Sequence, residues 1–189
     1  MAHTLTTARL LLVFPFALVM ARADAFHAAL AGAALLAAIA TDLLDGVIAR
    51  RRGTASAVGG AFDHATDCLF VVVGLAAGAS RGAFPWILPA LVAAAFAQYV
   101  VDSYWLHRGR ALRTSRLGRW NGILYFVPLG GDILLRLGLS GLQPFLTLLA
   151  WGLVVSTVCS MGERLWAVTA RRGTAPGSLA GGTADPSRR

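Results

Sequence analysis

The chain of 189 residues is 57% apolar and only 14% charged, which excludes an ordinary soluble domain and a disordered segment and leaves a one-domain membrane protein. All 17 basic residues are arginine, and against nine acids they give a formal charge of +8; their placement along the chain assigns that excess to membrane topology and anionic lipid rather than to nucleic acid. Two cysteines, Cys68 and Cys159, sit in apolar runs without zinc-site or disulfide-scaffold spacing and read as packing residues.

Apolar segments recur at Leu10 to Ala23, Phe26 to Ile48, Ala61 to Ala77, Phe84 to Tyr104, Gly122 to Leu139 and Pro144 to Val168. A helix of about 20 residues crosses the ~30 Å hydrocarbon layer, and runs this continuous in Ala and Leu lack the alternation of strands. The predicted fold is all-α and integral to the membrane: a bundle of six transmembrane helices forming one domain over residues 1–172. Residues 173–189 are Gly, Ala, Ser, Thr and Pro with little to bury and are expected to form a flexible tail.

The first segment is short, and Arg9, the apolar run and Ala21-Arg22-Ala23 imitate a cleavable signal peptide. The preferred reading is a retained helix from Thr6 to Ala25 whose two arginines snorkel to opposite interfaces. With the amino terminus inside, 14 of the 17 arginines share one side and only Arg22, Arg81 and Arg136 face out. Both termini and the loops after the second and fourth segments are thus expected in the cytoplasm. A bacterial inner membrane is the expected setting.

The end of the second segment reads Thr41-Asp42-Leu43-Leu44-Asp45-Gly46-Val47-Ile48-Ala49-Arg50, and after eight residues Gly59-Gly60-Ala61-Phe62-Asp63-His64-Ala65-Thr66-Asp67. Asp42 and Asp45 are three apart and Asp63 and Asp67 four apart, so each pair lies on one helix face. Two such faces opposed make a carboxylate cluster, which repels itself unless a cation neutralises it. An all-oxygen donor set suits magnesium, manganese or calcium rather than zinc, and paired ions can hold a diphosphate during displacement at phosphorus. Gly46 and Gly59, each one turn from an aspartate, and Ala49 keep the face open to a substrate, while Arg50 is placed to pair with a carboxylate or phosphate.

This run of Asp, two free, Asp-Gly, two free, Ala-Arg, eight free, Gly, three free, Asp, three free, Asp resembles the signature of the CDP-alcohol phosphatidyltransferase family. Every signature position matches, and a chance match at a given start is on the order of one in a billion at average residue frequencies. The resemblance implies a six-helix membrane enzyme, usually a homodimer, that binds CDP-diacylglycerol and two Mg2+ or Mn2+ ions. It implies that Asp42, Asp45 and Asp63 hold metal, and that Asp67 helps hold the second ion and takes the proton of the attacking alcohol. Gly46, Ala49, Arg50 and Gly59 resemble the positions that contact the CDP group. Thr6-Thr7-Ala8-Arg9 is similar to a shorter family pattern before the first helix, which places Thr6 and Arg9 among the CDP contacts as well.

Within such a family glycerol 3-phosphate is the default acceptor, with inositol phosphate, serine or another alcohol as rivals. Arg108, Arg110, Arg113, Arg116 and Arg119 either set topology or capture a phosphorylated acceptor, and Arg116 and Arg119 are the best placed for the latter. From another class, a small carboxylate-based transporter would also hold acids in a bundle, but it favours repeated or broken helices and acids nearer the midplane. Asp102 and Asp132 read as structural partners of arginines or as helix-packing groups, and His64 points away from the aspartate face. Trp86, Trp105, Trp120 and Trp166 read as an interfacial belt.

Overall fold

A computed structural model describes residues 2–52, 57–101 and 116–172, with side chains over 6–44, 62–101 and 120–166. Asp102, Trp105, Arg108, Arg110, Arg113 and the expected tail lie outside the described residues. Every described element is helical: α1 (Ala2–Met20), α2 (Ala25–Arg52), α3 (Ala57–Ser80), α4 (Ile87–Val101), α5 (Arg116–Leu124), α6 (Phe126–Arg136) and α7 (Gln143–Arg172), with a 3-10 turn at Ser140–Leu142.

Three stretches are long and apolar enough to cross a membrane, Ala25–Leu44, Phe62–Ser80 and Ser140–Trp166. Shorter apolar stretches occupy Thr6–Met20 and Ile87–Val101. Leu11, Phe14, Leu36, Leu148 and Val155 stand fully outward on the bundle, an apolar exterior that water penalises and lipid does not. The chain is an integral membrane protein. Trp86, Trp120 and Trp166 are exposed near helix ends, as a belt requires.

The fifth predicted segment is two helices, α5 and α6, meeting at Tyr125. Pro128 has no N–H to give to the Leu124 carbonyl four residues back, and its ring crowds that carbonyl, so the ladder is interrupted there. Tyr125 and Asn121 use the interruption to reach α7: Tyr125 Oη lies 2.7 Å from Thr157 Oγ1, and Ser156 Oγ donates to Asn121 Oδ1 at 2.7 Å. Thr157 in turn donates to the Leu153 carbonyl at 2.6 Å, so this buried hydroxyl has both roles filled.

Helix α1 packs against both α2 and α3, α3 and α7 flank α4, and α6 touches α2, α3 and α7. The core seam of α1 and α3 is the stacked pair Phe16–Phe70, with ring centroids 4.1 Å apart and planes 14° from parallel. Gly74 makes this seam possible, since a Cβ there would stand 2.6 Å from Phe16 Cε1 and 3.0 Å from Leu129 Cδ2. Small residues admit close helix approach where lipid supplies no hydrophobic drive for association.

One end of the bundle is closed by an ion-pair knot. Asp132 on α6, which is buried, accepts from Arg81 Nη2 at 2.6 Å, and Arg136 Nε lies 3.2 Å from the same oxygen. Both guanidiniums also cap the end of α1: Arg81 Nε donates to the Met20 carbonyl at 2.6 Å, and Arg136 Nη1 donates to the carbonyls of Val19 and Arg22 at 3.3 and 2.9 Å. The last carbonyls of a helix have no partner within it, and here arginine donors supply one. Asp132 therefore pairs with arginines, as its sequence position suggested. Across the short turn that follows, Asp24 caps α2 by accepting from the His27 backbone N–H at 3.0 Å.

Candidate active site

At the other end of the bundle, α1 brings a cation between acids carried by its two neighbours. Asp42 projects from α2 and Asp63 and Asp67 from α3, and one carboxylate oxygen of each lies within 4.8 Å of the others. Into this group reaches Arg9 of α1, whose Nη1 is 2.5 Å from Asp67 Oδ1, 2.8 Å from Asp63 Oδ1 and 3.4 Å from Asp42 Oδ1. Side-chain exposure falls from 42% at Asp42 through 32% at Asp63 to 24% at Asp67, so the cluster opens on the α2 side and closes toward α3.

The local reasons are plain. The i, i+4 spacing of Asp63 and Asp67 places both on the face of α3 that meets α1, and Thr66, on a different side, turns its hydroxyl back to the Phe62 carbonyl at 2.9 Å. Among the described side chains of α1, Thr6 and Arg9, one turn apart, are the buried polar ones. The expectation that Arg9 snorkels to the interface is overturned, since the residue is 2% exposed and sits inside the bundle. Three carboxylates within hydrogen-bonding reach outbid an interface that offers only water and headgroups. Arg22, at the opposite end of the helix, is exposed as expected.

His64 leaves the aspartate face as its register required, and its ring packs on Phe96 and Tyr99 at centroid distances of 5.5 and 5.3 Å. Arg164 of α7 lies over the Tyr99 ring at 5.5 Å, so this aromatic patch joins α3, α4 and α7 beside the site. Cys68 is partly buried and Cys159 faces outward; neither takes part in the cluster. The backbones of Asp45, Gly46, Ala49 and Arg50 continue α2, that of Gly59 lies in the first turn of α3, and Arg116 and Arg119 open α5, while the side chains of all of these lie outside the described residues.

The donor set fits a hard divalent ion. Three carboxylates meet here, and among the described residues all the ligands are oxygen and no thiolate or imidazole joins them. Two donors of the buried Arg9, Nε and Nη2, have no hydrogen-bond partner among the described residues. An orphaned buried donor is costly, so the site is also built to receive an acceptor-rich anion.

A helical membrane bundle with clustered carboxylates beside a buried guanidinium at one end suits a divalent ion together with an anionic group. The family model for CDP-alcohol phosphatidyltransferases matches residues 1–161, and the chain belongs to that transferase family. Phosphatidyl transfer from a CDP-alcohol in phospholipid synthesis is the family's chemistry. Comparison with curated proteins and with solved structures returns no match.

Sequence reasoning found the acids but missed what stands among them. The Thr6 and Arg9 pattern was visible; that Arg9 contacts Asp42, Asp63 and Asp67 depends on α1 lying against both acidic helices, which no local spacing encodes.

Proposed function

We propose that the chain transfers the phosphatidyl group of CDP-diacylglycerol to glycerol 3-phosphate and releases CMP. The observation that supports this most directly is the meeting of Asp42 from the first half of the signature with Asp63 and Asp67 from the second within 4.8 Å. Asp42, Asp45, Asp63 and Asp67 would hold two Mg2+ or Mn2+ ions, which when bound neutralise the diphosphate and the charge that develops at phosphorus.

Asp67 serves as the base. It is the most enclosed of the three described carboxylates, and a carboxylate within reach of the acceptor hydroxyl can take its proton. In the transfer the acceptor oxygen forms a bond to the phosphorus that carries the lipid. The bond from that phosphorus to the CMP oxygen breaks, its electron pair leaves with CMP, and the hydroxyl proton passes to Asp67. No covalent enzyme intermediate is required.

Gly46, Ala49 and Gly59 make room for the CDP group, Arg50 pairs with its phosphates, and Thr6 and Arg9 complete the contact from α1. Arg116 and Arg119, at the start of α5, take the phosphate of the acceptor. In this reading six membrane-crossing segments place the site and both termini on the cytoplasmic side of a bacterial inner membrane, and the working form is a homodimer.

Purified protein incubated with CDP-diacylglycerol, Mg2+ and a panel of glycerol 3-phosphate, inositol phosphate and serine should release CMP with glycerol 3-phosphate and stop when the metal is chelated. Release with another acceptor alone would replace the substrate. Release that persists in chelator would remove the metal centre from the reading.

A further inference from the structure

Arg9 presents two different edges to the site. Through Nη1 it holds one oxygen each of Asp42, Asp63 and Asp67, the three carboxylates that would ligate a divalent ion. Through Nε and Nη2 it presents donors that are buried and have no hydrogen-bond partner among the described residues. A guanidinium and a divalent cation repel at such distances, and the same carboxylates cannot serve both fully. The side chain is 1% exposed, so leaving the carboxylates without another anion close by would strand a buried charge.

Resting on the metal-centre reading above, we propose that Arg9 is an exchangeable counterion of this site. It holds the carboxylates until a divalent ion and a diphosphate are both present, and then passes to the phosphate oxygens, so that ion and nucleotide bind cooperatively through this one side chain. The guanidinium fork suits such an exchange because it matches carboxylate and phosphate geometry alike. The exchange also frees Asp67, whose oxygen lies 2.5 Å from Arg9 Nη1, and so joins the availability of the base to the presence of the nucleotide. Cooperativity of this kind is reciprocal: what the ion does for the nucleotide, the nucleotide does for the ion.

The test is Mn2+ binding by the full chain in detergent, read from the electron paramagnetic resonance of free Mn2+ with and without CDP as probe, and corrected for Mn–CDP formed in protein-free buffer. Wild-type protein should bind Mn2+ about 10-fold more tightly with CDP present, within the usual range of coupling between sites. Arg9→Gln should bind Mn2+ more tightly than wild type without CDP and lose most of the enhancement. Arg9→Lys, which keeps the charge but not the fork, should hold Mn2+ affinity near wild type and weaken the enhancement. Equal Mn2+ affinity with and without CDP in wild-type protein overturns the exchange, whatever the variants do, and leaves the metal centre standing. An Arg9→Gln protein with wild-type affinity and enhancement overturns it as well. Absence of Mn2+ binding under every condition removes the metal centre and the exchange together, a result that chelator-resistant CMP release would mark independently.

Discussion

Phe16 lies flat against Phe70, 4.1 Å between centroids, in the seam where α1 meets α3. Gly74 faces the same ring so closely that an added methyl carbon would stand 2.6 Å from it. Phe16→Ala should lower stability by on the order of 2 kcal/mol, less than the same truncation in a soluble core, because the side chain stays in lipid when the helices separate. Gly74→Ala should also destabilise, yet do so much less in the Phe16→Ala background, since the overlap is with the ring that was removed. Denaturation in mixed micelles of the two single variants and the double variant measures this coupling; additive losses would show that the two positions do not share a contact.

Asp67 is where the proposed transfer sends its proton. Asp67→Asn keeps the shape and removes the base, so CMP release should fall by about 10²-fold or more, while CDP binding measured by calorimetry changes little. Turnover near wild type would transfer the role of base to another group.

Asp132 neutralises two guanidiniums in a buried place, Arg81 at 2.6 Å and Arg136 at 3.2 Å. Asp132→Asn leaves like charges facing each other without a counterion, a change that costs about 3 kcal/mol when one partner of a buried pair is removed. The knot lies at the opposite end of the bundle from Asp42, Asp63 and Asp67, so the fraction that remains folded should keep its specific activity. Thermal inactivation in detergent followed by assay of the surviving protein separates the two effects, and unchanged thermal stability would contradict the assigned role.

Asp24 lies in the turn outside the membrane segments. The His27 backbone N–H, and after it the His27 ring, hold its carboxyl down to about 2 from an ordinary 3.8. A carboxyl depressed in the folded state contributes stability that is fully present above its unfolded value and is lost as pH falls through the folded one. The unfolding temperature of wild-type protein should therefore exceed that of Asp24→Asn from neutral pH down to about 4, with the gap closing toward pH 2. A gap that is constant over the whole range would show that the charge at Asp24 has no part in capping α2.

What the amino-acid sequence discloses here follows the reach of each signal. The spacings of Asp42 with Asp45 and of Asp63 with Asp67 are statements about helix faces, and periodicity carries each within its own helix. Arg9 is different. Snorkelling is a sound rule for an arginine near a helix start with water as its partner, and it fails because α1 packs on both acidic helices, a tertiary fact. The interruption at Tyr125 lies between these cases: Pro128 announced it locally, but the apolar run hides it when hydropathy alone is read. Asp132 could be expected to meet an arginine, whereas its choice of Arg81 and Arg136 together depends on three helix ends converging.

The knot of Arg81, Asp132 and Arg136 grips the main-chain oxygens of Val19, Met20 and Arg22, so the first helix is tethered at the terminus remote from the chemistry. A rod fixed at that terminus moves least there and more with distance from it, and Arg9 lies about three turns before Met20. The residue proposed to exchange partners thus lies away from the anchored terminus, where the buried ion pairs hold three helix ends together.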